Sequence, residues 1–390
     1  MLDPNLLLFF VVILFAFVFG EIFSRFHLPR IIGQIIAGLV LGLPFWAGIF
    51  PLQNNTMVLV LSEVGIIFLL ILTGLEIDLK KIKNCSKEVL LISFSSVLIP
   101  FVLGFVFVFL MYGSLLFAFI GGAALSVSSE ATKSIALMKK GVLETKLGEI
   151  MMLAGAINII FELVFLSLLL FFVGETSGND LAFLPVEVIG FLAAVFIALR
   201  LLPKFVALFK QESEDEYFSL ALLIALAIAF LASLLSLGTI IGALIAGLLL
   251  RKAFKSEKIE HAIENHLRVL TFALVIPFFH LHIGLHFAGS LVFNPLIIFS
   301  VLAIAFAGKM FAVLVIKPKS RLSAHQLTLV GWGMNSRGFI ELVMLVIVVN
   351  HKIGFPDELY TAIVLMTILT TLAFPLALQY YLKKYPGIMD

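Results

Sequence analysis

The sequence is poor in charge and almost without cysteine. Of its 390 residues, 13% are Asp, Glu, Lys or Arg, whereas a soluble globular protein has about a quarter. The single cysteine, Cys85, excludes an intrachain disulfide and a metal site made of several cysteines. Basic stripes and base-stacking motifs are also missing, which argues against a nucleic-acid-binding protein. Because no polar stretch is long enough for a second domain, we expect a single transmembrane domain without a soluble regulatory domain.

Apolar residues take the place of the missing charges. They make up 62% of the chain, and apolar runs long enough to span the hydrocarbon core of a bilayer recur along it. The pattern predicts an all-α polytopic membrane protein with thirteen transmembrane helices. The predicted spans are 5–23, 31–50, 57–75, 89–111, 114–138, 147–173, 182–201, 216–235, 237–251, 266–288, 293–316, 325–349 and 359–381.

Lys and Arg are distributed very unevenly over the predicted loops. Alternate loops hold nearly all of these residues, whereas the other set of loops holds only Lys352. Positively charged loops face the cytoplasm in membrane proteins. The sequence therefore predicts a multi-pass protein of the inner or plasma membrane, with its N-terminus outside and its C-terminus in the cytoplasm.

Charged residues inside the predicted spans need a reason, because a charge at the centre of a bilayer costs about 2.5–3.5 kcal/mol or more. Apart from Glu63, they form a balanced set of three acids and three bases in spans 114–138, 147–173, 293–316 and 325–349. The six are Glu130, Lys133, Glu162, Lys309, Arg337 and Glu341. They form either an ion-transporting site or structural pairs that hold helices together.

Small and polar residues interrupt two of the predicted spans. Span 114–138 contains SVSSEATKS, and span 325–349 contains GWGMNSRGFIEL. Such segments favour local unwinding, and two broken helices in corresponding places indicate an inverted-repeat transporter. The first repeat would cover about 1–175, a linker helix about 182–201 and the second repeat about 216–384. Alternatively, the small residues form faces on which helices pack closely.

Asn158 and Glu162 lie four residues apart and therefore share one face of a helix. An amide and a carboxylate supply oxygen ligands for a hard cation. The same carboxylate can carry a proton, which is the simplest way to couple the movements of cation and proton. Ser128, Ser129 and Asn335, from the interrupted segments, are further candidate ligands.

Six segments together carry a family resemblance. They are LPRIIGQIIAGLVLG from Leu28, LSEVGIIFLLILTGLEIDLKKIK from Leu61, the long apolar segment 215–250, PFFHLHIGL, GKMFAVLVIKP and MNSRGFIELV. The last is similar to an asparagine-x-arginine-glycine-x-x-glutamate motif. In combination they resemble the cation:proton antiporter superfamily, in its branch of Kef-type and NapA-type monovalent cation:proton antiporters.

The resemblance implies a NapA-like fold in which two broken helices cross and a mobile core domain works against a dimerisation domain. It implies exchange of Na⁺ or K⁺ for protons by alternating access, in a homodimer. We expect no cofactor, no resident metal ion and no enzymatic reaction. Two alternatives remain: a channel-like or sensory membrane subunit that has lost exchange, and a transporter of another small ion, such as an anion attracted by Lys133, Lys309 and Arg337.

At one position the chain departs from the family pattern. The family usually has an acidic ion-binding residue in the sixth span, where this chain has Ile159. Glu162, one turn later, is the natural substitute, and Glu130 is the second candidate.

The remaining core charges are also expected to have partners. Lys309 stands where the branch places a core lysine, and we expect it to lie against a carboxylate because an unpaired ammonium is costly in a membrane. Arg337 and Glu341 are expected to be partly structural and to pair with core acids and bases rather than carry the ion.

Overall fold

The computed structural model describes residues 4–26, 28–53, 55–77, 82, 85–173, 197, 200–206, 213–234, 238–254 and 256–390. Within these ranges the protein is all-helical, as predicted, and it contains no strand. The helices are α1 (Pro4–Arg25), α2 (Arg30–Gly42), α3 (Pro44–Ile49), α4 (Thr56–Glu76), α5 (Lys87–Tyr112), α6 (Leu115–Ser126), α7 (Glu130–Lys139), α8 (Lys146–Val173), α9 (Glu214–Leu234), α10 (Thr239–Ala253), α11 (Glu257–Leu270), α12 (Ile276–Gly289), α13 (Pro295–Leu314), α14 (Ala324–Met334), α15 (Ile340–Asn350) and α16 (Asp357–Lys384). A π-helical turn, Thr271–Val275, joins α11 to α12, and a 3₁₀ turn, Lys317–Lys319, follows α13.

Eight helical segments in the described ranges are long and apolar enough to cross a membrane. They are α1, α4, α5, α8, α9, the continuous segment from α11 to α12, α13 and α16. Three shorter apolar helices, α2, α6 and α15, accompany them. The total of thirteen spans stays a prediction, and most of the expected span 182–201 lies outside the described residues.

The expected span 31–50 is not one continuous helix. Helix α2 ends at Gly42, and the short helix α3 starts at Pro44. Proline has no N–H to donate and disfavours helical geometry in the residue before it. Leu43 accordingly has an extended backbone, with φ −63° and ψ 147°, and the predicted span is divided there.

The spans expected over 114–138 and 325–349 are both interrupted, as the sequence predicts. Helix α6 ends at Ser126 and α7 begins at Glu130, with extended backbone at Val127 and Ser129 between them. Helix α14 ends at Met334 and α15 begins at Ile340. We call residues 127–129 the first break and residues 335–339 the second break.

Two compact units make up the chain. The first unit consists of Met1–Glu21, Gly33–Ile77 and Leu170–His286. Its helices pack through glycines: Gly38 of α2 meets Gly284 of α12, and Gly74 of α4 meets Gly247 of α10. A methyl group at any of these positions would overlap the opposite backbone, so glycine is needed for the close approach.

The two glycine crossings are related by a repeat in the sequence. The tetrapeptide IAGL occurs at 36–39 in α2 and at 245–248 in α10. The dipeptide Gly-Leu occurs at 74–75 in α4 and at 284–285 in α12. One crossing joins α2 to α12, and the other joins α10 to α4. Exchanging α2 with α10 and α12 with α4 therefore maps one crossing onto the other, which is the relation expected of a duplicated unit.

The second unit consists of Ile22–Ile32, Asp78–Leu169 and Phe287–Asp390. It contains both breaks, the greater part of α8, and the helices α13 and α16. An apolar cluster that includes Ile92, Leu137, Met151 and Phe374 fills part of its interior. Unlike most apolar cores, this unit also buries charged side chains, including Lys133, Lys309 and Arg337.

Candidate functional site

The two breaks cross each other inside the second unit. The Ser129 N–H donates to the Ser336 carbonyl at 2.8 Å, and the Ser128 hydroxyl donates to the Met334 carbonyl at 2.7 Å. Gly338 lies directly against the Ser129 side chain, where a methyl group would overlap the hydroxyl. Part of the unwound backbone is thus satisfied across the crossing, and non-helical backbone inside a membrane requires such partners.

Arg337 binds the end of a helix rather than an acidic side chain. Its guanidinium donates to the carbonyls of Ala124 at 3.1 Å and Leu125 at 2.6 Å, and also to the carbonyl of Val127. These carbonyls lie at the C-terminal end of α6, where the helix dipole favours a positive charge. The expected pairing of Arg337 with core acids is wrong, because the helix end provides a planar array of acceptors within its reach.

Glu341 binds a free backbone N–H group at the N-terminal end of α15. Its Oε1 accepts from the Gly338 N–H at 2.9 Å and from the Thr367 hydroxyl at 3.2 Å. A carboxylate in the first turn of a helix is stabilised by the helix dipole and by the free N–H groups there. The expected pairing of Glu341 with a core base is likewise replaced by backbone and hydroxyl contacts.

Lys309 of α13 is fully buried, but its contacts differ from those expected. Its Nζ donates to the Ser126 carbonyl and, at 2.7 Å, to the Ser128 hydroxyl. No carboxylate oxygen of the described residues lies within 4.0 Å of this ammonium. The direct Lys309–carboxylate pair is therefore not formed, because the C-terminal end of α6 supplies the acceptors instead.

Ser128 connects this lysine to a carboxylate. The Ser128 N–H donates to Glu162 Oε1 at 2.9 Å, while its hydroxyl accepts from Lys309. Glu162 is 1% exposed, and no Lys or Arg of the described residues lies within ion-pairing distance of it. One residue of the first break thus holds an anionic and a cationic side chain at the same time.

Asn158 lies one turn from Glu162 and joins the same polar cluster. Its amide group lies 2.5 Å from Ser93 Oγ, 3.3 Å from Ser96 Oγ and 3.5 Å from Ser128 Oγ. Ser93 and Ser96 were not among the predicted site residues. The signal for them was present, since two serines three residues apart share one face of the otherwise apolar helix α5.

Glu130 and Lys133 form an ion pair within α7. The distance from Lys133 Nζ to Glu130 Oε1 is 2.7 Å, and the two side chains are 0% and 11% exposed. Ser129 precedes them as the N-cap of α7, and its hydroxyl accepts from the Thr132 N–H at 3.3 Å. Of the three buried acids of the second unit, Glu130 alone is paired with a lysine or arginine among the described residues.

Several buried polar atoms around the crossing have no hydrogen-bond partner in the protein. Among the described residues these include both carboxylate oxygens of Glu130, Glu162 Oε2, both side-chain polar atoms of Asn335, Ser336 Oγ and Glu341 Oε2. Buried polar groups normally have partners, and exceptions indicate water, an ion or a functional role. The ten predicted site residues therefore all lie in the second unit, around one crossing that has unused oxygen atoms.

The family model for the transmembrane sodium/hydrogen exchanger matches residues 10–384. The chain belongs to the sodium/hydrogen exchanger family. The predicted membership of the cation:proton antiporter superfamily and the predicted exchange of a monovalent cation for protons are confirmed by this match. The exchanger is accordingly a multi-pass membrane protein with a cation and protons as substrates.

Named relatives span almost the whole exchanger. A Na⁺/H⁺ antiporter of Enterococcus hirae is 28% identical over 375 residues, which cover 94% of each chain. The Na⁺/H⁺-K⁺ antiporter GerN of Bacillus cereus is 26% identical and covers 93% of this chain and 92% of its own. The solved structure of the sodium proton antiporter MjNhaP1 from Methanocaldococcus jannaschii has a TM-score of 0.77 at 15% identity and covers 99% of this chain, which confirms the antiporter fold.

Proposed function

We propose that this antiporter exchanges Na⁺ or K⁺ for protons by alternating access, with Glu162 as the carboxylate that holds a cation and a proton in turn. Asn158 and Ser128 provide neighbouring oxygen atoms. Lys309 is coupled to the charge on Glu162 because both side chains bind Ser128. The names of the two bacterial relatives support these two cations as substrates.

The contacts of the three buried acids carry the proposal. Glu130 is paired with Lys133, and Glu341 uses its Oε1 for two bonds at the start of α15. Glu162 accepts one backbone N–H and has no ion-pairing partner among the described residues. Since an isolated buried carboxylate is strongly unfavourable as an anion, it needs either a proton or a cation. That requirement is the chemistry of an antiporter, in which one site accepts two ligands in alternation.

Exchange then follows from competition at one group. When a cation approaches Glu162, it meets the carboxylate, the Asn158 amide and the Ser128 hydroxyl, and the carboxyl proton must leave. The positive charge of Lys309, held on the other side of Ser128, disfavours a second cation at the same place. All these residues lie in the second unit, so an ion bound to them would move with that unit.

We also propose the orientation of the antiporter in the membrane, the membrane in which it lies and its oligomeric state. The near absence of Lys and Arg from one set of loops supports an outside N-terminus and a cytoplasmic C-terminus in the plasma or inner membrane. We expect a homodimer, which size-exclusion chromatography with light scattering would measure in detergent. A monomer at all concentrations would contradict that expectation.

The decisive experiment is exchange in proteoliposomes that carry a pH-sensitive dye, with Na⁺, K⁺ and Li⁺ tested in turn. Glu162→Gln should abolish cation-driven proton movement, because the amide can neither bind the proton nor neutralise the cation. Glu149→Gln is the matched control, since Glu149 is exposed on the same helix, and it should exchange normally.

Three outcomes would contradict the proposal. Full exchange by Glu162→Gln would remove this residue from the mechanism. Anion-dependent flux in the wild-type protein would favour a transporter of another ion, and no flux with any cation would favour a subunit that has lost exchange. The folded state of each variant is checked by its chromatographic profile before reconstitution.

A further inference from the structure

We propose that Lys133 is a tethered cation that permanently neutralises Glu130 and so reserves Glu162 as the single exchanging carboxylate. The inference rests on the proposed function of Glu162 and adds what keeps the second buried acid of the same region out of the exchange. Lys133 would then be a positioning residue that sets the number of cation sites.

The first support is the geometry of the pair. Lys133 Nζ lies 2.7 Å from Glu130 Oε1 and also donates to the Met151 carbonyl of α8 at 3.3 Å. The Met334 sulfur lies 3.7 Å from the same nitrogen. The ammonium is thus held by contacts to three different helices, α7, α8 and α14, and its side chain is not exposed at all.

The second support is the position of the Glu130 carboxylate. It lies directly on the backbone of Gly155 in α8, where a methyl group would overlap the carboxylate. Gly155 precedes Asn158 by three residues and Glu162 by seven, which places all of them on one side of the helix. The Glu130 carboxylate therefore lies about one turn of α8 from Asn158 and two turns from Glu162.

The third support is the competition that a transported cation would face at Glu130. Lys133 is three residues away in the same helix, so its ammonium has a very high effective concentration at this carboxylate. Removing one partner of a buried ion pair is strongly destabilising, because it leaves an uncompensated charge. A free cation would have to displace the ammonium and leave it buried without its carboxylate, which makes Glu130 a poor site while Lys133 is present.

The inference predicts a gain of cation binding when the lysine is removed. Lys133→Met keeps the length and apolar character of the side chain but takes away its charge, so Glu130 must find another cation or a proton. The variant is made in the Glu162→Gln background, where the proposed site is already lost. Binding is measured as the rise in melting temperature in detergent when Na⁺ or K⁺ replaces a bulky organic cation.

Glu162→Gln alone should show no cation-dependent rise in melting temperature, whereas Glu162→Gln with Lys133→Met should regain one. Adding Glu130→Gln as a third change should remove the regained response and restore thermal stability, because the carboxylate left unpaired by Lys133→Met is then gone. Lys140→Met, at an exposed position just after the same helix, is the control and should not restore any response.

Two results would overturn the inference. If Lys133→Met restores no cation response although the protein remains folded, Lys133 is not what prevents Glu130 from binding a cation. If Glu130→Gln combined with Lys133→Met, which leaves no stranded ammonium, abolishes exchange in a folded protein, Glu130 is itself an exchanging group. Persistence of exchange in Glu162→Gln would refute the proposed function instead, so failure of one proposal can be told from failure of the other.

Discussion

Both breaks are short unwound segments between two helices, but they differ in the charged groups that bind to them. At the first break, the C-terminal carbonyls of α6 accept hydrogen bonds from the Arg337 guanidinium and the Lys309 ammonium. At the second break, the last carbonyl of α14 is that of Met334. It accepts a hydrogen bond from an uncharged group, the Ser128 hydroxyl. A crossing formed by similar elements therefore has both of its helix-end cations at one break.

This asymmetry determines the surroundings of Glu162, the carboxylate proposed to bind the ion. A helix C-terminus carries partial negative charge, and two cations there reverse the local field. Glu162 accepts a backbone N–H from Ser128, in the middle of the first break, where those two cations also bind. At the second break no Lys or Arg of the described residues donates to the last carbonyl of α14, and the Asn335 side-chain amide has no partner among the described residues.

Arg337→Met tests the comparison most severely. Three carbonyls would lose bonds to a charged donor, and since each such bond contributes roughly 1.5–3 kcal/mol, the loss of stability should be about 4.5 kcal/mol or more. A large fall in melting temperature in detergent measures it. Asn335→Ala at the second break is the matched control and should cost much less, because its amide has no partner in the protein. Equal effects of the two changes would show that the breaks do not differ as described.

Lys309→Gln tests whether the other cation of the first break is coupled to exchange. The glutamine amide still donates hydrogen bonds but carries no charge, so stability should fall by roughly 1.5–3 kcal/mol. If Lys309 responds to Glu162 through Ser128, exchange should persist with a shifted pH profile or an altered response to membrane voltage. Lys319→Gln, an exposed change beyond the end of α13, is the control. Residual activity with the original pH profile and voltage response would mean that Lys309 is purely structural.

Gly338→Ala tests the crossing itself and should have the smallest effect. The added methyl group meets the Ser129 side chain, and overpacking of this kind costs about 1 kcal/mol when a side chain can shift. Combining it with Ser129→Gly should recover part of the lost melting temperature, because the overlapping atoms are then gone. A Gly338→Ala protein as stable as the wild type, without the second change, would show that the contact at the crossing is loose.

The sequence was a good guide to features that depend on local composition. Apolar runs and buried charges follow directly from what a bilayer tolerates, and small polar segments inside such runs cannot remain regular helix at low cost. The Glu130–Lys133 pair was also accessible, since residues three apart on a helix are neighbours. The division of span 31–50 at Pro44 could have been predicted from the proline alone.

Other features depend on contacts between distant segments and were missed. The glycine crossings of the first unit depend on backbones that meet more than 170 residues apart, although the repeated IAGL was visible in the sequence. Ser93 and Ser96 became site residues because α5 packs beside α8 and places them around Asn158. Neither contact follows from the spacing of residues within one helix.

By itself, the sequence determined that this protein is helical, that it lies in a membrane, and which side chains carry charge inside it. Only the tertiary structure decided what each charge binds. Sequence reasoning paired acids with bases, because opposite charges are the obvious partners. In the folded protein, Arg337, Lys309 and Glu341 instead bind the exposed backbone groups of broken helices, since those carbonyl and N–H groups carry partial charge and have no water to satisfy them. That use of the charges leaves Glu162 without a Lys or Arg within ion-pairing distance among the residues that the structure describes.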